Sequence, residues 1–141
     1  MKEELIDLAK YRLNKAKDTL SDGKKYAESA TNESTINRIY YSMFYAVNSL
    51  LITLNLSSSK HAGVLSIFNR EVVNKGLIEK SWGEFYSDMF KRRQKGDYQD
   101  FVEFEKQDVK AWLKKSEDFI DKIEELVLKN ISNHNEEKNK R

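Results

Sequence analysis

Apolar and small residues recur at Leu5, Ala9, Leu13, Ala16, Leu20, Gly23, Ala27 and Ala30, in steps of three and four. That spacing lays them along one face of a long helix. Gly23 falls inside the stripe and predicts a bend or pause there. The polar run Thr31-Asn32-Glu33-Ser34 supplies cap-forming residues and predicts a break. From Ser34 to about Leu56 the chain is apolar on several sides: Ile36, Tyr40, Met43, Val47, Leu50 and Leu54 make one stripe, and Ile39, Phe44, Leu51 and Ile52 add to it. A helix apolar nearly all round belongs at the centre of a bundle. Ser57-Ser58-Ser59 predicts a loop and a cap. A third helix follows from about Lys60 to Lys75, with Val64, Leu65, Phe68 and Val72 inward and Gly76 as its C-terminal cap.

The fourth helix is expected from about Glu79 to Lys95, on the stripe Trp82, Phe85, Tyr86 and Met89, with Gly96 ending it. A fifth begins near Asp100, where Asp100 and Glu103 have capping-box spacing. Phe101, Phe104, Trp112, Phe119, Ile123 and Leu126 carry its stripe to about Asn130. From Ser132 onward no apolar period is visible, which predicts a disordered tail over 131–141 after a single helical domain over 1–130. The expected fold is therefore all-α, a five-helix up-and-down bundle with short connections.

Composition agrees with long helices. The 141 residues include no Pro and five Gly, the two residues that most often interrupt helices. Charged residues make up 34% and hydrophobic ones 39%, a water-exposed, globular balance. With no Cys, disulfides, thiolate metal sites and cysteine nucleophiles are excluded. The two His, His61 and His134, are too few for a His-based metal site, so no metal and no cofactor is expected. The longest apolar runs are short, and the start, Met1-Lys2-Glu3-Glu4, has no apolar signal segment behind it; no membrane span and a cytoplasmic location are expected. The net charge of +2 does not by itself predict a nucleic-acid partner. Local clusters matter more, above all Lys91, Arg92, Arg93 and Lys95. No P-loop, dinucleotide fingerprint, HExxH or GxSxG is present.

Three groups of residues do not suit a plain bundle. Arg93 extends the Trp82-Tyr86-Met89 stripe and so faces inward. It is either a helix-end Arg reaching out to water or an anion clamp. Asp97 and Tyr98 follow Gly96, where they serve as turn residues or, with Arg93, as a site for ribose, phosphate and base. Arg38, Tyr41, Tyr45 and Asn48 share a polar-aromatic side of the central helix, either an internal Arg-on-tyrosine stack or the wall of a ligand groove. His61 opens the third helix, where the neutral imidazole is the more comfortable form.

These residues fall into a familiar arrangement. Arg12-Leu13-x-x-Ala16, the run Asn37-Arg38-Ile39-Tyr40-Tyr41-Ser42-Met43-Phe44-Tyr45-Ala46, Lys60-His61-Ala62-Gly63-Val64, Phe68, Val73-Asn74-Lys75-Gly76 and Arg93-Gln94-Lys95-Gly96-Asp97-Tyr98 together resemble a HEPN-domain subfamily, from about Leu5 to Val127. The resemblance implies a five-helix bundle that commonly dimerises. It implies metal-independent endoribonuclease activity in toxin–antitoxin, antiphage (antiviral defence) or CRISPR systems, and a minimal nucleotidyltransferase as possible antitoxin partner. Other members bind nucleotides or RNA without cleaving them. Catalytic members carry an Arg followed a few residues later by His, paired across a dimer cleft, the Arg holding the scissile phosphate. Arg93 matches that Arg. Tyr98, preceded by Asp97, stands where the His is expected, and a neutral phenol with pKa near ~10 is a poor base. The resemblance thus marks Arg93, Asp97 and Tyr98 as the reactive set, and Arg38, Tyr41, Tyr45, His61 and Arg92 stand beside it as candidate ligand-binding residues. It also makes Tyr98 a candidate for adenylylation by such a transferase. Three functions follow: an RNA-targeting effector, a noncatalytic nucleotide- or RNA-binding module, or a helical partner of a nucleotidyltransferase.

Overall fold

In the computed structural model, residues 2–29, 31–98 and 103–140 are described, apart from the side chains of Ser29, Asp97, Tyr98 and Lys140. Five α-helices follow one another: α1 (Glu3–Ser29), α2 (Asn32–Thr53), α3 (His61–Phe68), α4 (Lys80–Tyr98) and α5 (Lys106–Lys140). Among the described residues there is no strand.

The pairings give the topology. The Ser49 hydroxyl donates to the Ala9 carbonyl at 2.6 Å near one end of α2, and Gly23 packs against Arg38 nearer the other, so α1 and α2 run antiparallel. Lys24–Glu117 and Lys138–Glu3 ion pairs join α1 to α5 antiparallel, at 3.1 and 3.3 Å. Tyr86 of α4 stacks on Tyr40 and Phe90 meets it tilted, and Gly96 approaches Glu33, so α4 also runs antiparallel to α2. Asn32 donates to the Phe104 carbonyl at 2.6 Å and Asn130 to the Thr53 hydroxyl at 2.9 Å, which fixes α5 parallel to α2. This is the up-and-down bundle expected, with α2 in the middle.

The centrality of α2 follows from its apolar excess. Ile36, Ile39, Tyr40, Met43, Ala46, Val47, Leu50 and Leu51 are all buried, and α1, α3, α4 and α5 pack around them. Thr31 caps its start, its hydroxyl accepting from the Ser34 N–H at 3.1 Å.

Several boundaries differ from those expected. Helix α1 is continuous through Gly23. A Cβ there would lie 3.2 Å from the Arg38 Cβ, so the glycine permits close approach of α2 and marks no break. The third helix is α-helical only to Phe68, and a π-helical segment, Asn69–Val73, takes over. It closes on Gly76 at φ +74°, with the Leu77 N–H bonded to the Val72 carbonyl at 3.0 Å. Gly96 does not end the fourth helix. The backbone stays helical to Tyr98, so Asp97 and Tyr98 belong to its last turn, and the tight turn expected there is corrected. The capping role expected of Asp100 lies outside the described residues. Finally, α5 continues to Lys140 where a disordered tail was expected from residue 131. No Pro or Gly follows Asn130 to stop it; Ile131 adds one more buried position and Lys138 reaches Glu3.

Candidate functional site

Helix α2 is not buried all round. Asn37, Arg38, Tyr41, Phe44, Tyr45 and Asn48 are half-exposed and recur every three or four residues, so they form a single strip on its surface. The three aromatic rings touch: Tyr41–Phe44 and Tyr41–Tyr45 centroids are 6.1 Å apart, and Phe44–Tyr45 5.9 Å. Cations from three helices rest on them. The Lys15 ammonium of α1 is 4.6 Å from the Tyr45 ring. The Arg38 guanidinium is 5.6 Å from the Tyr41 ring and is steered by the Asn37 side-chain oxygen, which accepts from its Nη2 at 2.7 Å. The Arg93 guanidinium of α4 lies 5.2 Å from Tyr41 and 5.4 Å from Tyr40. Each ring face attracts a cation without neutralising it. The three cations are therefore held against the aromatic strip.

Arg93 reaches this strip because it shares a face of α4 with Tyr86 and Met89, both fully buried. Its side chain is half-buried, so it ends at the rim of the core. Arg92, the next residue, turns a different way. Its guanidinium covers the Trp112 ring of α5 at 4.2 Å and its Nη1 approaches the Met89 sulfur at 3.5 Å.

Beneath the strip, Tyr40 is fully buried, and its hydroxyl lies 2.9 Å from Nδ1 of His61 at the start of α3. The imidazole stacks on Phe44 at 4.1 Å with 13° between planes, and meets Tyr41 edge-on at 5.6 Å. Burial, aided by the Arg93 charge, holds its pKa below the usual 6.5. The Tyr40 phenol is pushed up to about 12 by burial, against the opposing pull of Arg93. Tyr86, whose ring stacks on Tyr40 at 6.2 Å, is raised well above 10 by burial and by its neighbour Tyr40. Both phenols, and the imidazole, are neutral at pH 7.

Of the residues singled out in the sequence, Arg38, Tyr41, Tyr45, His61 and Arg93 thus come together around α2. Arg92 stands apart, against α5. Asp97 and Tyr98 share the end of α4 with Arg93 along the backbone, while their side chains lie outside the described residues. Sequence reasoning missed Tyr40 and Phe44, which it placed in the core, and Lys15. An alternation of Arg and Tyr at helical spacing points to the strip, but only tertiary contact brings in Lys15 and the Tyr40–His61 bond. Among the described residues no cluster of His, Asp and Glu suits a metal ion. No described helix is long and apolar enough to cross a membrane.

An open groove of about 1060 Å³ lies at the far end of α2, lined by Lys2, Glu3, Glu4, Thr53, Asn55 and Lys138 among others. Acidic and basic groups alternate there and no cation is fixed on a ring, so the groove does not favour a polyanion.

Comparison with known proteins bears on the same region. A family model described as HEPN domain matches residues 9–126. A Thermotoga maritima protein named "UPF0332 protein" is 45% identical over 126 residues, covering 89% of this chain and 93% of that one. Two Methanocaldococcus jannaschii proteins bear the name "Putative toxin". One is 32% identical over 120 residues, 84% of this chain and 82% of its own. The other is 33% identical over 125 residues, 89% and 87%.

Proposed function

We propose that this chain, which belongs to the HEPN domain family, is an RNA-directed effector of a toxin–antitoxin or antiphage module that binds its target along the Arg93 strip of α2. One observation carries the reading. Arg93, Arg38 and Lys15 are each held on a tyrosine ring beside other half-exposed aromatics. Fixed cations meet phosphates, and open aromatic faces stack on unpaired bases; this is the pairing used for single-stranded nucleic acid. The "Putative toxin" names of two relatives fit such a role.

The strip is shallow in one copy, and two copies facing each other across it would double its cations around one strand. We therefore place the RNA in a homodimer cleft, with Arg93 on a phosphate and Asp97 and Tyr98 beside it. Cleavage, where it occurs, would use the RNA 2′-hydroxyl and need no metal ion.

The test is an RNA-binding and cleavage assay with and without chelator, comparing wild type with Arg93→Ala and Tyr98→Phe. The reading predicts binding that Arg93→Ala weakens at least roughly tenfold, the worth of one bidentate charge-assisted contact. Any cleavage persists in chelator. Growth arrest on expression, relieved by Arg93→Ala, would place the chain among toxins. Unchanged RNA binding in Arg93→Ala contradicts the reading and leaves a helical partner for a nucleotidyltransferase.

A further inference from the structure

We propose that His61 is a second anion-binding residue of this site, acting as a neutral Nε2–H donor whose tautomer is set by a relay of two buried phenols, Tyr86 to Tyr40 to His61 Nδ1. The proposal rests on the RNA-binding reading for its ligand, a phosphodiester, but its geometry stands on its own.

The relay follows from counting protons. Tyr86 is completely buried, and a buried O–H requires an acceptor. Its hydroxyl meets no acceptor in full hydrogen-bond geometry, yet it lies close enough to Tyr40 for each to shift the other's ionisation. The two rings stack at 6.2 Å with 9° between planes, and in the proposed relay the Tyr86 hydroxyl donates to the Tyr40 oxygen. Tyr40 then has one proton of its own to place, and the Nδ1 of His61 is 2.9 Å away. Tyr40 donates, Nδ1 accepts, and the imidazole proton must sit on Nε2. In the opposite arrangement, Nδ1–H donating to Tyr40 and Tyr40 to Tyr86, the Tyr86 proton would be left without an acceptor among the described residues. That costs about as much as a lost buried hydrogen bond, so the first arrangement prevails.

Phe44 stacks flat on the ring and Tyr41 meets it edge-on, so the imidazole cannot swing freely. The charged and titratable groups around it are Tyr40 and Tyr41 of α2 and Arg93 of α4. Arg93 borders the same two tyrosine rings. A second full positive charge beside it is disfavoured, whereas a neutral N–H adds a donor without repulsion. In the proposal His61 adds a single N–H donor to a phosphate bound beside the Arg93 side chain. Because the Nε2 lone pair is occupied by the proton, His61 orients and binds the anion and does not serve as the base.

The experiment uses the full chain with ¹⁵N-labelled histidine, observed at pH 7 with inorganic phosphate and with a short fluorescein-labelled oligouridylate. Expected is a neutral Nε2–H tautomer for His61, assigned by the loss of its signals in His61→Gln, with the Nε2 signal shifting on addition of phosphate. Tyr40→Phe should release the tautomer preference while the chain stays folded. In binding, His61→Ala should weaken the oligouridylate roughly tenfold, the value of one hydrogen bond to a charged oxygen. His61→Gln, whose amide N–H₂ stands at the Nε2 position, should restore most of that loss. His61→Asn, which mimics Nδ1, should not. An Nδ1–H tautomer, an imidazolium at pH 7, or His61→Ala binding like wild type overturns the proposal. If Arg93→Ala still weakens RNA binding in that last case, the function stands and the His61 role alone falls. If the wild-type chain binds neither phosphate nor oligouridylate, both fall.

Discussion

Tyr40 is fully buried, yet its phenol meets the candidate site at His61, and this couples that site to stability at high pH. Its pKa is pushed up to about 12 by burial, against about 10 for an unfolded tyrosine. Above pH ~10 the unfolded chain loses that proton while the folded one keeps it. The stabilisation is complete below ~10 and is lost as pH rises toward 12, more steeply because Tyr86 is raised as well. Urea unfolding at stepped alkaline pH should show this fall, and Tyr40→Phe should flatten it; parallel curves would contradict the assignment. His61 has the opposite sign. Its folded pKa lies below 6.5, so the unfolded state binds more protons as pH drops through 6.5, and stability declines from there downward. Melting temperatures of wild type and His61→Gln should converge as the buffer is acidified. At this scale Arg93 was legible, since a cation continuing an apolar stripe must end at the core's rim. The Tyr40–His61 bond was not, because nothing in the local pattern tells a core tyrosine that reaches a neighbouring helix from one that does not.

The contact between α4 and the π-helical segment has almost no slack. A Cβ on Gly83 would stand 2.8 Å from Val73 Cγ2 and 3.2 Å from the Asn69 side-chain oxygen. In an open helix Gly→Ala gains about 1 kcal/mol. Here overpacking costs about 1–3 kcal/mol, so Gly83→Ala should show a net loss of about 0–2 kcal/mol in denaturant titration. Phe119 of α5 is fully buried among Phe68, Trp82 and Tyr86. Phe119→Ala should cost about 3–5 kcal/mol in the same measurement, the range for emptying such a space. The helices themselves were visible in the apolar periods, because each stripe had to face a core. Their ends were less visible. Gly23 and Gly96 read as breaks from their residue type, but both sit inside helices; at Gly23 the deciding fact was how closely α2 comes, which depends on a partner Arg38 many residues away. The end of α5 was missed for a related reason: one buried Ile131 and an ion pair to α1 hold what has no period of its own.

For the molecule as a whole, a net charge of +2 gives little long-range attraction for RNA, so the proposed affinity has to come from the few cations that α1, α2 and α4 gather at the α2 strip. Binding should weaken linearly on a logarithmic salt axis, and Arg93→Ala should reduce the slope by roughly one phosphate's worth, near ~0.7 for a single strand. The exposed ion pairs joining α1 to α5, among them Lys17–Glu124, should matter little, since such surface pairs contribute about 0–1 kcal/mol. Fluorescence anisotropy of the labelled oligouridylate across a salt series, with wild type and Arg93→Ala side by side, tests the claim that α2 carries an RNA site most directly. The account predicts saturable wild-type binding, at least roughly tenfold weaker in the variant with a shallower salt slope. Equal affinity and equal slope in the two proteins would contradict it.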